Sequence, residues 1–315
     1  MAALRNFIIF AVVMNKELAI IIPAYKGKFL GTALDSLARQ SCMDFTVYVG
    51  DDCSPEDIGE TVSKYAGSID IVYRKFEDNL GGTDLSAHWE RCIAMSSEEP
   101  YIHLFSDDDM LPYDAVERFM KAREKCPGSG FFRMQLAVVD EGGSVLRCNP
   151  PLAEGRADAV DMLCDKLSGR TSSATCEYIF SRALYGKCGG FVHFPHAWCS
   201  DDATWFRMAS LEGGVTPVPG LPVLWRNVTG NNISNSRLYD RDKETATAGF
   251  IRHLYDNYPE LRNRRFSEVL YAYVKCILTV SLDGKCSRQG LDEICSALGR
   301  FSALKAARIK IKFHL

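Results

Sequence analysis

The chain has 315 residues, 47% apolar and 24% charged, a balance that supports a folded domain with a large core and excludes disorder. A formal net charge of -3 excludes any global electrostatic drive toward nucleic acid, so an anionic ligand must be held locally. Twelve cysteines are scattered without a C-x-x-C pair, the pattern of reduced thiols in a cytoplasmic protein and not of a disulfide framework.

Residues 1–16 read as an N-terminal extension. Its apolar run from Phe7 to Met14 is shorter than the roughly 20 residues that cross a bilayer, and no small-residue cleavage site marks a signal peptide. From Glu17 onward, short apolar runs alternate with amphipathic stretches, as in an α/β domain with a mainly parallel sheet. Strands are expected over 18–22, 45–49, 70–74 and 101–105, with Leu30, Ala33, Leu34 and Leu37 at helical spacing between the first two. Helices are expected over 84–96 and, opened by Pro112, over 113–125. Further on, 131–148 reads as two strands joined by a Gly-Gly turn, followed by a helix near 157–167 and a strand over 175–181. A glycine-rich loop then leads to a helix expected from about Ala203, 225–234 reads as a loop, and the chain turns helical from about Asp242.

Three polar clusters, PAYKG, GDDCSP and SDDDM, follow the first, second and fourth strands. In open α/β sheets, ligands bind outside the carboxyl ends of the strands, so these clusters converge on one edge. Asp107, Asp108 and Asp109 repel one another unless protons or a cation neutralise them. If convergent, their oxygens suit Mg²⁺ or Mn²⁺ and leave positions for diphosphate oxygens; the plainer alternative is a solvated acidic loop ahead of a helix. Asp51 and Asp52 divide similarly between a turn and hydrogen bonds to a base or ribose. Together the two clusters favour a nucleotide pocket.

With these motifs in place, the sequence resembles the family 2 glycosyltransferases. The resemblance rests on IIIPAYKGKFLGTALDSLARQSCMDF, on VYVGDDCS and on HLFSDDDMLP, in order and at approximate spacing over about 17–125. It implies a GT-A fold, a Rossmann-like three-layer α/β/α arrangement around a central mainly parallel sheet, with a helical C-terminal extension. On that reading 17–240 is the catalytic domain, with a nucleotide- and metal-binding half over 17–125 and an acceptor half over 126–240, and 241–315 is the extension.

The resemblance assigns the nucleotide to Pro23, Ala24, Tyr25, Asp51, Asp52 and Asp107. Asn79 and Gly81, with Gly82, allow backbone approach to a sugar or diphosphate, and Arg91 is placed to pair with a phosphate. Asp108 matches the chief ligand of a divalent metal cofactor, with Asp107 and Asp109 as neighbouring candidates. Ser106 stands where many members have the first aspartate, a departure from D-x-D.

Inverting transfer needs a base for the acceptor hydroxyl, and the resemblance places it after a GGF loop, at Asp201 or its neighbour Asp202. Capping of the following helix is the alternative role for this pair. His193 and His196 are lesser candidates for the base, and Arg226, Asn232 and Ser234 for a loop over the diphosphate. The implied activity is transfer of a sugar from a nucleotide-diphosphate sugar, a UDP-sugar, to a glycan or lipid-linked hydroxyl in cell-surface polysaccharide synthesis. No nucleic acid partner is implied. Cytoplasmic location is expected, with Lys305, Arg308, Lys310 and Lys312 placed to touch the inner face of an anionic membrane. The alternatives are a pyrophosphorylase-like nucleotidyltransferase and a non-catalytic nucleotide-sugar-binding module.

Overall fold

The structure, a computed structural model, describes residues 16–96, 98–228 and 236–313. The expected N-terminal extension, apart from Lys16, and the loop candidates Asn232 and Ser234 lie outside the described residues.

Strand β1 (Leu18–Ala24) pairs in parallel with β2 (Phe45–Asp51) on one side and β4 (Tyr101–Leu104) on the other. A strand covered on both faces needs apolar residues at successive positions, which is why LAIII reads as an unbroken run. Leu18, Ile20 and Ile22 pack on one layer with α1 (Leu30–Ala38), while Ala19 and Ile21 face the other layer. Beyond β2 come α2 (Ile58–Ser63) and β3 (Ile71–Lys75), the latter parallel to β2 at the sheet edge. Helix α3 (Leu85–Ile93) begins where the Asp84 carboxylate accepts from the Ala87 amide, and α4 (Ala115–Lys125) follows β4.

The second half completes a mixed sheet with β5 (Phe131–Val139), β6 (Val145–Cys148), β7 (Tyr178–Ser181) and β8 (Thr216–Arg226). The strand order is β3-β2-β1-β4-β7-β5-β6, with β8 also on β5, and four of the seven pairings are parallel. Helices α5 (Ala159–Leu167), α6 (Arg182–Cys188) and α7 (Ser200–Glu212) cover the face that carries Ile21. The sheet and its two helical layers are the expected three-layer α/β/α arrangement.

Strand β8 is absent from the sequence reading. Its TPVPGLPVLWR carries three prolines and a glycine, which read as breakers. The structure absorbs them: Thr216–Val218 and Val223–Arg226 pair with β5, and the register shifts between the two stretches. The strand expected over 175–181 is shorter, because Thr175–Glu177 form a 3₁₀ turn. Helix α7 starts at Ser200 and not near Ala203, which puts Asp201 and Asp202 inside its first turn.

The C-terminal helices α8 (Asp240–Asn257), α9 (Arg264–Cys276), α10 (Arg288–Gly299) and α11 (Ala303–Phe313) share a core with the sheet. Phe250, Leu270, Ile294 and Ile309 belong to the same buried cluster as Ile102, Phe131 and Trp205. Inside that cluster the Trp205 ring stacks on Tyr178 at 4.9 Å, and Tyr178 stacks on Phe131 at 5.4 Å. Trp205 stands one helical turn after Asp201, so the stack fixes the start of α7. The twelve cysteines are free thiols, and no helix among the described residues is long and apolar enough to cross a membrane.

All four tryptophans precede residue 240, and Trp198 among them hydrogen-bonds Thr247 of α8, so their fluorescence reports on the sheet-bearing part and on its seam with the C-terminal helices. Leu270→Ala, in α9, is expected to cost about 2–5 kcal/mol and to shift the tryptophan-monitored denaturant midpoint together with far-UV dichroism. An unmoved tryptophan transition would show that the C-terminal helices unfold separately.

Candidate functional site

The carboxyl ends of β1, β2 and β4 meet at one sheet edge, and their loops are tied to one another through aspartates. Asp107 Oδ2 accepts the amides of Tyr25 and Lys26 at 3.0 and 3.1 Å, which joins the loop after β4 to the loop after β1. Asp51 is fully buried and accepts from the Ser54 amide and the Tyr73 hydroxyl, both at 2.7 Å. Asp52 accepts the Leu80 and Gly81 amides at 2.9 Å, and Arg91 pairs with the same carboxylate. A Cβ at position 81 would lie 2.6 Å from Asp52 Oδ2, so glycine permits this close approach. Burial lifts the Asp52 carboxyl above its ordinary value against the pull of these amides and of Arg91. His88, buried beside Asp52 and near Arg91, is pushed down to about 3 and stays neutral.

The three consecutive aspartates diverge. Asp107 and Asp108 line a cavity of about 790 Å³. Asp109 points inward, fully buried, its Oδ1 accepting the Arg226 amide at 2.9 Å. Burial, with the Asp107 charge adding to it, pushes Asp109 up to about 6. The Arg226 guanidinium donates to the carbonyls of Asp108, Asp140 and Glu141 and lies 4.4 Å from the centre of the Phe29 ring. It therefore fastens the SDDDM loop to β8 and to the β5–β6 turn.

Among the described residues no group of three or more His, Cys, Asp or Glu side chains is arranged to hold a metal ion. The hard oxygen donors of Asp107 and Asp108 on the cavity wall do fit a Mg²⁺ or Mn²⁺ ion that takes one or two carboxylates and completes its shell with ligand phosphates and water.

The cavity also gathers Pro23, Ala24, Tyr25, Asn79, Gly81, Asp201 and Asp202. Asp51, Arg91 and Asp109 stand outside it, behind the loops they hold: Arg91 is anchored to Asp78 at 2.9 Å and stacked over Phe76 at 4.0 Å. His193 is likewise outside, held by Asp84 and Glu90, whereas His196 lines the wall.

Asp201 is half-buried in the first turn of α7, and burial plus the adjacent Asp202 push it up to about 7 against the opposing charge of Lys166. Just before it, His196, Ala197 and Cys199 take left-handed φ angles of 50, 55 and 66°, which is strained for residues with side chains. The loop is over-determined by its anchors. The Phe194 amide donates to Ser200 Oγ at 2.9 Å, Trp198 Nε1 donates to Thr247 Oγ1 at 3.1 Å, and Cys199 Sγ meets the Tyr273 hydroxyl at 3.2 Å.

Sequence reasoning missed part of this wall. Lys166, Tyr239, Tyr273, Ile277 and Ser281 line the cavity and come from helices or segments that carry no local motif. Ile277–Ser281 form a π-helical turn, a departure from α geometry that is frequent at functional sites.

Residues 19–131 match the model of glycosyl transferase family 2. This segment belongs to the family 2 glycosyltransferases. Over 96 residues the chain is 31% identical to the poly(ribitol-phosphate) beta-N-acetylglucosaminyltransferase TarS of Staphylococcus aureus, a match that covers 30% of this chain and 16% of the relative. The crystal structure of S. aureus TarS 1-349 in complex with UDP-GlcNAc superposes with a TM-score of 0.70 at 16% identity, over 94% of this chain and 83% of that one. The mannosyltransferase PcManGT from Pyrobaculum calidifontis in complex with GDP-Man and Mn²⁺ gives a TM-score of 0.50 at 15% identity, over 94% and 76%. At these identities the structural likenesses establish the fold alone, the GT-A arrangement.

Arg226→Met removes the charged donor from three carbonyls around the SDDDM loop. A loss of about 1.5–3 kcal/mol is expected from charge-assisted hydrogen bonds, read as a lower midpoint in urea; an unchanged midpoint would show that Arg226 does not hold this loop.

Proposed function

We propose that the chain is an inverting glycosyltransferase that moves a sugar from a nucleotide-diphosphate donor, a UDP-sugar, to a hydroxyl of a glycan or lipid-linked acceptor in cell-surface polysaccharide synthesis. The observation that carries the reading is one cavity on a family 2 domain in which Asp107 and Asp108 share the wall with Asp201, a carboxyl raised to about 7. The TarS relative, crystallised with UDP-GlcNAc and with UDP, supports uridine as the base and UDP-GlcNAc as the first donor to try.

In this reading Pro23, Ala24 and Tyr25 flank the base, and Asp52 keeps Leu80 and Gly81 in place so that the loop over 79–82 borders the donor. Asp201 takes the acceptor proton as the acceptor oxygen bonds to the anomeric carbon and the bond from that carbon to the diphosphate oxygen breaks. The α7 turn and the Trp205 stack fix that carboxylate, so little reorganisation is needed in the transfer. A divalent ion, Mn²⁺ or Mg²⁺, held by Asp108 with Asp107, would supply Lewis-acid stabilisation of the departing diphosphate. Peripheral contact with the inner face of an anionic membrane belongs to the same reading, supported by the exposed Arg308, Lys310, Ile311 and Lys312 on α11.

The test is a donor panel led by UDP-GlcNAc, with Mn²⁺ or Mg²⁺, measuring release of UDP and of pyrophosphate. UDP release is expected, lower by roughly 10²–10⁴-fold in Asp201→Asn, with metal stimulation lost in Asp108→Ala. Because the base acts ionised, the rate should climb as the pH rises through about 7. No UDP release with any donor would overturn the proposal, and pyrophosphate release would replace it with nucleotidyl transfer.

A further inference from the structure

Lys166 has no role in any motif of the sequence. It occupies the last turn of α5, where a cation at a helix C-terminus usually does no more than complement the helix dipole in solvent. Its surroundings here are different. The side chain lines the cavity, and Nζ lies 3.2 Å from Oδ1 of the buried Asp202. Helix α5 packs directly on α7, so this contact reaches the turn that carries Asp201.

Asp201 and Asp202 are adjacent carboxylates in one helical turn facing one cavity, and two such charges oppose each other's ionisation. The other titratable groups around them offer no compensation. Cys199, ahead of α7, and Tyr273, from α9, are both held neutral by burial. Tyr178, from β7, is likewise raised by burial, and Glu177 is engaged by Arg133 at 2.8 Å. Arg133 is taken up by Glu177, and Lys166 is the cation that contacts the aspartate pair.

We propose that Lys166 is a positioning residue: its ammonium, anchored on Asp202, balances that carboxylate and leaves Asp201 available as the proton acceptor near neutral pH. The inference rests on the reading of Asp201 as the base. In its absence Asp202 would bear on Asp201 uncompensated and Asp201 would retain its proton over more of the neutral range. Burial and Asp202 already raise Asp201 while Lys166 opposes them, which agrees in sign.

The experiment titrates the full chain by ¹³C NMR of labelled aspartate carboxyls, with the Asp201 signal identified by its loss in Asp201→Asn. Lys166→Met should move the Asp201 midpoint up by about one pH unit, and Lys166→Arg should keep it at the wild-type value. An unmoved midpoint in Lys166→Met would overturn the proposal. Should Lys166→Met fail to fold, Asp202→Asn decides it: the midpoint should fall, and no change would show that the pair is not coupled. In UDP release from UDP-GlcNAc the acid limb should shift with the midpoint while the donor KM stays constant. A raised donor KM with an unmoved midpoint would make Lys166 a donor contact and overturn the positioning role. If Asp201→Asn retains full activity while the midpoint still shifts, the base assignment fails and the electrostatic coupling stands apart from catalysis.

Discussion

Carboxylates buried at the carboxyl edge of a sheet must be neutralised, and this constraint shapes the whole site. An unpaired buried charge is costly, whereas one that accepts several amide hydrogen bonds can be retained. Asp51, Asp52, Asp107 and Asp109 each meet the demand by accepting from backbone or side-chain donors on a different segment. Asp52 and Asp107 thereby fasten loop to loop, while Asp51 and Asp109 fasten their segments to Tyr73 of β3 and Arg226 of β8. The cavity keeps its outline because the loops that line it are hydrogen-bonded to one another across the sheet edge, with Arg226 closing the same circuit from β8.

The opposite wall is built by packing. The Phe131–Tyr178–Trp205 stack fixes the start of α7, and α9 presses Tyr273 against Cys199. These contacts hold three non-glycine residues in left-handed backbone conformations directly before the Asp201–Asp202 pair. Strain of this kind costs of order 1–3 kcal/mol per residue, and the shared core of sheet and C-terminal helices offsets it. Helices that read as an appendage therefore form part of the wall and help keep its shape.

Legibility in the sequence follows the range of the forces involved. LAIII, FTVYV and YIHLF announce buried parallel strands because their own residues carry the pattern, and the polar clusters after them mark the ligand edge. Strand β8 was hidden because Pro217, Pro219, Gly220 and Pro222 mimic a loop, and only pairing with β5 overrides them. The early start of α7 depends on a left-handed Cys199 imposed by distant anchors, and no local signal encodes it. Three aspartates in a row suggested convergence, yet Asp109 turned into the core because the Arg226 amide, 117 residues away, was there to receive it. Lys166 and Tyr273 reach the cavity through helix packing alone, which a single sequence does not display.

The central claim is that the edge aspartates hold the cavity loops before any ligand arrives. Amide hydrogen exchange of Asp52→Asn without nucleotide tests it most directly. The account predicts that protection at Leu80 and Gly81 falls toward that of an open loop while the sheet amides of β1 and β2 keep theirs. Unchanged protection at Leu80 and Gly81 would contradict it, since Asp52 would then serve only a bound ligand.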